Sequence, residues 1–159
     1  MYKAAVITLS DRAYSGEYED ISGKTLCSML PEGFEAKEYI LLPDSYDRLR
    51  TELIRLCDIE KYTLILTTGG TGLAPCDITP EATMSVAERN VPGIAEAMRA
   101  GSMKHTSKAM LSRGVSVIRG KTLIINLPGS PKAVRENMEI ISEVLLHAAD
   151  ILSGKKADG

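Results

Sequence analysis

The sequence predicts an α/β domain in which a largely parallel sheet is covered by helices on both faces, with one antiparallel pair near its C-terminal end. Three observations carry this. Strand-like and helix-like segments alternate through the first half of the chain, the pattern that wires parallel sheets. The segment Tyr62–Thr68 is apolar along most of its length, too apolar for a sheet with one face in water. Arg119-Gly120-Lys121 interrupts the apolar run Gly114–Leu127 with a tight turn, which makes that pair antiparallel.

Taken in order, KAAVITL (Lys3–Leu9) reads as a strand and ISGKTLCSML (Ile21–Leu30) as a short helix. AKEYILL (Ala36–Leu42) is a strand, and Ser45–Asp58 a helix with apolar residues at 49, 53, 56 and 57 on one face. Cys57 shares that face and reads as a small core residue. After the strand Tyr62–Thr68, Thr79 as N-cap, Pro80 as first helical residue and Glu81 in the first turn mark a helix reaching about Asn90. Val91-Pro92-Gly93 interrupts it, and a second, Ala- and Met-rich helix spans Ile94–Met103. The last helix is capped by Ser130 and opened by Pro131, with Val134, Met138, Ile141, Leu145, Ala148 and Leu152 on one stripe. Gly154 stops it, and residues 154–159 read as a frayed tail.

The 159 residues fit one domain, 1–159, with 44% apolar and 25% charged side chains. A net charge of −2 gives no general attraction to nucleic acid or anionic membrane. With no Trp and one Phe, a stacking platform for single-stranded nucleic acid is not expected. The N-terminus has no signal-peptide pattern and no run reaches the ~20 apolar residues of a membrane span, so the expected address is the cytoplasm. Three widely spaced cysteines, Cys27, Cys57 and Cys76, form no CxxC pair and argue against a structural disulfide or a Cys-rich zinc site.

Four strands end in polar or glycine-containing turns: Ser10-Asp11-Arg12, Pro43-Asp44-Ser45, Gly69-Gly70-Thr71-Gly72 leading to Asp77, and Pro128-Gly129-Ser130-Pro131. If these strands are parallel, all four turns lie on one carboxyl edge, where open α/β sheets bind ligands. Glycine amides beside a helix start favour phosphate, and nearby carboxylates favour Mg²⁺. Together they point to a Mg-nucleotide site. Each piece also has a structural reading: Asp44 as a helix cap, GGTG as a tight turn, Asp11-Arg12 as a solvated ion pair, Gly129 as turn chemistry. Asp77 is the less structural candidate, because Thr79 is the better cap. His105 and His147 read as surface residues, and no Ser-His-Asp or Cys-His set is specified. GGTG lacks the Gly-Lys-Ser/Thr ending of a Walker A loop, and no GxGxxG follows a strand.

LTTGGTGLAPCDITPEAT resembles the signature of the MogA/MoaB family of molybdopterin-binding proteins, shared with the G domain of gephyrin and of the plant molybdenum-insertion protein. VITLSDRAYSGEYED, LLPD (Leu41–Asp44), MLSRG (Met110–Gly114) and IRGKTLIINLPGSPKAV (Ile118–Val134) resemble the same family in the same order, over Val6 to about Leu152. The resemblance implies a three-layer α/β/α homotrimer in which Mg-ATP adenylylates molybdopterin, releasing pyrophosphate and leaving molybdopterin-AMP for hand-off to a molybdate-insertion protein. The alternative it leaves is a MoaB-like paralogue that binds pterin with little or no catalysis. By position, Asp44 and Asp77 match the family's essential acidic residues and are the expected catalytic and Mg²⁺-binding pair. Ser10, Asp11, Gly69, Gly70, Thr71, Gly72, Ser112, Pro128, Gly129 and Ser130 match its substrate- and nucleotide-binding positions. Cys76 departs from the pattern, standing where the family commonly carries Arg; any phosphate contact from that Arg would then fall to Arg113, Lys132 or Lys24, or phosphate would be bound more weakly.

Overall fold

The computed structural model describes residues 1–156. Six strands form one sheet: β1 (Tyr2–Leu9), β2 (Phe34–Leu42), β3 (Leu64–Thr68), β4 (Arg89–Asn90), β5 (Ser116–Arg119) and β6 (Thr122–Leu127). Their spatial order is β2-β1-β3-β6-β5-β4. The pairs β1·β2, β1·β3 and β3·β6 are parallel, whereas β5 pairs antiparallel with both β6 and β4. The chain leaves β1 toward β2, then returns to place β3 on the other side of β1, so the order reverses between β1 and β3. That reversal opens a crevice at the carboxyl ends of the two strands.

Helices α1 (Asp11–Tyr14), α2 (Ile21–Ser28), α3 (Tyr46–Ile54), α4 (Thr79–Val86), α5 (Pro92–Ser102) and α6 (Pro131–Leu152) complete the layers. Alternate strand residues feed two separate cores, as the period of a strand requires. Ala4, Val6, Leu64, Leu66, Leu123 and Ile125 meet Leu26 of α2, Met98 of α5 and the α6 stripe Val134, Met138, Ile141 and Leu145. Ala5, Ile7, Ile65 and Ile124 meet Leu49 and Leu53 of α3 and Ala82 and Val86 of α4. Three layers follow, as expected.

The differences from the sequence reading have local causes. The α-helical part of the third helix ends at Ile54, and a π turn over Arg55–Ile59 carries it on, closed by Glu60 N–H donating to the Arg55 carbonyl. Leu56 and Cys57 remain buried in the core. The fourth helix stops at Val86 rather than Asn90, because Arg89 and Asn90 pair with Ile118 and Val117 as an edge strand. Tertiary pairing there overrides helix propensity. Thr79 is the first helical residue and Ile78 occupies the cap position; the Thr79 hydroxyl instead donates to the Gly69 carbonyl at 2.9 Å. At the C-terminus Gly154 adopts φ +89° and Lys155 N–H donates to the Asp150 carbonyl. These residues belong to the helix stop, and 157–159, the rest of the expected tail, lie outside the described residues. No described helix is long and apolar enough to cross a membrane.

The two sheet edges are unlike the centre. β2 carries Glu35 and Lys37 as an ion pair at 3.0 Å, while Glu38 is held by Arg55 at 2.7 Å. β4 offers only two residues.

Close backbone approach fixes the geometry at the crevice. Gly69, at φ +94°, would place a Cβ 2.3 Å from the Leu9 carbonyl oxygen. Gly69→Ala is therefore expected to destabilise the fold by more than ~1 kcal/mol, read as a lower midpoint in urea unfolding, because neither strand end has a flexible side chain that yields.

Candidate functional site

The four parallel strands deliver their turns to one edge, and hydrogen bonds tie the turns together. Ser10 N–H donates to the Leu42 carbonyl, and Gly69 N–H to the Leu127 carbonyl. Thr68 Oγ1 donates to the Pro128 carbonyl at 2.6 Å, and Ser22 Oγ to the Gly129 carbonyl at 2.7 Å. A Cβ on Gly129 would meet the Gly69 Cα at 3.4 Å, so the two glycine turns lie against one another.

Two neighbouring cavities open along this edge. One, of about 480 Å³, is walled by the ends of β1 and β3, the start of α2 and the start of α6; Ser10, Asp44, Gly69, Gly70, Asp77, Gly129 and Ser130 line it. The other, of about 530 Å³, lies beyond the glycine loop between α5, α6 and the 3₁₀ turn Ser107–Leu111. Thr71, Gly72, Ser112 and Pro128 line this second, more apolar cavity. All the expected site residues except Asp11 are thus divided between two cavities, with the loop 69–72 as the partition.

Asp44 and Asp77 both face the first cavity. Burial, followed by the nearby charges of Asp11 and Asp77, raises the Asp44 carboxyl above the ordinary aspartate value, against a lowering hydrogen bond from the Asp11 amide. Asp44 and Asp11 hold each other: Asp44 N–H donates to Asp11 Oδ1 at 2.9 Å, and Asp11 N–H donates to Asp44 Oδ2 at 3.2 Å. Asp11 therefore positions the Asp44 turn and is not one of the cavity-lining residues. Asp77 Oδ2 accepts from Ala74 N–H at 2.9 Å, closing the turn 74–77. Ser10 and Ser130 are caps as well as lining residues, accepting from Ala13 and Ala133 amides. The cap at Ser10 begins the short helix α1, which no apolar periodicity announces.

Of the cations named as substitutes for an Arg at position 76, Arg113 is fully engaged, Lys24 is paired at the surface and Lys132 is largely solvent-exposed. Arg113 donates from Nε to the Gly72 carbonyl at 2.8 Å, from Nη2 to the Asp77 carbonyl at 2.7 Å, and from Nη1 to the Glu81 carboxylate. It is the latch of the loop. Lys24 pairs with Glu19 at 2.6 Å, and Lys132 lies 3.8 Å from Glu136. Cys76 is exposed and lines neither cavity.

Several polar residues escaped the sequence reading because they sit inside apolar segments. Asn126 on β6 is 1% exposed, and its amide donates to Thr67 and Thr83 while accepting from Val115 N–H. Ser102 Oγ hydrogen-bonds Asn137 Oδ1 across α5 and α6. With Arg99, whose guanidinium donates to the Ser112 and Gly114 carbonyls, they line the second cavity. An asparagine in the middle of a buried strand was the available signal.

Among the described residues no three His, Cys, Asp or Glu side chains gather as a protein-only metal site. Two carboxylates in one cavity fit a hard divalent cation that takes its remaining ligands from phosphate and water.

The family described as "Probable molybdopterin binding domain" matches residues 5–148. A molybdopterin adenylyltransferase of Helicobacter pylori is 43% identical over 94% of this chain and 86% of its own length. The molybdopterin adenylyltransferase of Escherichia coli is 42% identical over 89% and 74%. The solved structure of the molybdopterin biosynthesis enzyme MoaB from Thermus thermophilus superposes with a TM-score of 0.92 at 45% identity, over 99% of this chain and 100% of that one. The fold, the convergence of the four turns and these matches agree: this chain belongs to the molybdopterin-binding family of molybdenum cofactor biosynthesis.

Proposed function

We propose that the chain is a molybdopterin adenylyltransferase, transferring the adenylyl group of ATP to the terminal phosphate of molybdopterin. An oxygen of that phosphate bonds to the α-phosphorus of ATP, the bond to the departing pyrophosphate breaks, and molybdopterin-AMP remains. The observation that carries this reading is the meeting of glycine amides with two carboxylates at the β1/β3 reversal, directly beside a second cavity of ring-accommodating size. The chemistry asks little acid–base work of the protein. A phosphate nucleophile is already ionised at neutral pH, so no catalytic His or Cys is needed, and positioning with charge stabilisation does the rest.

In this reading the first cavity holds the triphosphate. Gly69 and Gly70 bring backbone close to phosphate without a side chain in the way, and the Thr79 hydroxyl fixes the carbonyl of Gly69. Asp44 and Asp77 would hold Mg²⁺, which when bound draws charge from the α-phosphate and the leaving pyrophosphate. The Asp44 carboxyl, raised mainly by burial and further by the Asp11 and Asp77 charges, is a group whose charged form a bound cation would stabilise. The pterin occupies the second cavity, where Arg99 and Lys108 face an anionic ligand and the buried Asn126, Ser102 and Asn137 supply polar groups among apolar walls. The resemblance also supports a homotrimer that passes its product to a molybdate-insertion protein.

Incubation with molybdopterin, Mg²⁺ and ATP should yield molybdopterin-AMP and pyrophosphate; pterin binding with no product at high enzyme concentration would favour the non-catalytic paralogue. Asp77→Asn should lower turnover at least a hundredfold while circular dichroism and unfolding stay close to wild type. For Asp44 the sign follows from its raised value: above the unfolded pKa of ~3.9 the native state binds more protons, so stability falls as pH rises through the raised folded value. Asp44→Asn should therefore unfold at a higher temperature than wild type at pH 7, converge with it near pH 3, and lack activity at both. Light scattering should report three chains per particle.

A further inference from the structure

The loop 71–77 faces both cavities at once. Thr71, Gly72 and Leu73 line the second, more apolar one, while Asp77 lines the first. The stretch lies between β3 and α4 and belongs to neither, and Leu73, Ala74, Pro75 and Cys76 are exposed. Two internal bonds, Asp77 N–H to the Ala74 carbonyl and Ala74 N–H to Asp77 Oδ2, close a turn without attaching it to anything. Among the described residues, every hydrogen bond that ties 71–77 to another part of the chain comes from Arg113.

Arg113 makes three such bonds. Its backbone N–H donates to the Thr71 carbonyl at 2.9 Å, Nε to the Gly72 carbonyl at 2.8 Å, and Nη2 to the Asp77 carbonyl at 2.7 Å. The remaining nitrogen, Nη1, meets Glu81 at 2.8 Å, with the two side chains 37% and 49% exposed; an ion pair so open to water contributes little to stability. The bonds to the two carbonyls are of another kind. They hold both ends of the turn from one rigid plane, a geometry that a lysine ammonium does not reproduce. Arg113 is itself anchored from the other side. The carbonyls of its neighbours Ser112 and Gly114 both accept from Arg99 Nη1, at 3.3 and 2.8 Å. Arg99, Ser112 and Gly114 line the second cavity, so the support of the loop is built into that cavity's wall. The guanidinium of Arg113 lines neither cavity and reaches them only through the loop.

We propose that Arg113 is a positioning residue for the transfer step: it holds Asp77 in the first cavity and residues 71–73 in the second in one fixed relation, and so registers the two substrates against each other. The inference rests on the adenylyltransferase reading for its substrates and goes beyond it in assigning the group that sets their relative placement. Most of each cavity's wall lies outside the loop, so each substrate keeps its binding surface when the brace is lost. What the brace adds is the alignment of the attacking phosphate with the α-phosphorus. A displacement of about 1 Å in such an alignment costs about a hundredfold in rate. The effect therefore falls on kcat and spares both KM values.

Two measurements on the full chain test it. Arg113→Lys, which keeps the charge and loses the fork, should lower kcat about tenfold or more, with the KM for ATP and for molybdopterin each within about threefold of wild type. Glu81→Gln, which removes only the exposed ion pair, should keep kcat within about twofold. Amide hydrogen exchange, read without substrates, should be about tenfold or more faster at Ala74 and Asp77 in Arg113→Lys, and unchanged in β1, β6 and α6. An unchanged kcat in Arg113→Lys would overturn the proposal. So would an equal loss in Glu81→Gln, or a kcat loss accompanied by faster exchange throughout the core, which marks a general loss of stability. Exchange also keeps the two readings separate. Wild-type turnover in Arg113→Lys removes only the present inference. A wild-type chain that makes no product removes the adenylyltransferase, and faster exchange confined to 71–77 in Arg113→Lys then still supports Arg113 as the group that places the loop.

Discussion

The site depends on a contact between backbones. Gly69 lies against the Leu9 carbonyl on one side and Gly129 on the other, with its own amide donating to Leu127 and its carbonyl accepting from Thr79. Three strand ends and the start of α4 therefore meet on a residue without a side chain. Any bulk there separates the turns that form the cavities. The position of each functional group is inherited from this packing, because the turns have no room to settle elsewhere.

Charge in the site is arranged by the same economy. Arg113 lines neither cavity; it ties the Gly72 and Asp77 carbonyls and the Glu81 carboxylate together and so braces the loop that carries Asp77. The carboxylates of Asp44 and Asp77 are left facing a cavity while Asp11 amide and carboxylate brace the Asp44 turn. Burial and the neighbouring carboxylates hold the Asp44 carboxyl above its ordinary value, so its charge is the costly one in this cavity.

Much of this was legible in the chain. The period-2 and period-3.6 patterns gave the sheet, its two faces and the helices, and Ser130-Pro131 marked the start of α6 to the residue. The convergence of four turns followed from parallel order alone. What stayed hidden was decided by partners distant in sequence. Thr79 has every mark of an N-cap, yet the carbonyl of Gly69 claims its hydroxyl. Arg89 and Asn90 continue a helical pattern, yet β5 offers them a ladder. The engagement of Arg113, the buried amide of Asn126 and the separation of the site residues into two cavities are likewise tertiary facts, which no local window contains.

The edges of the sheet bear on how copies of this chain can meet. β2 has Glu35, Lys37 and Glu38 along it and a bulge opposite Ala4 and Ala5, while β4 is too short to template a neighbour. Such edges resist the addition of a foreign strand, the commonest route from a half-open sheet to fibrillar aggregation. Any contact between copies then has to be made by side chains and not by a shared strand ladder.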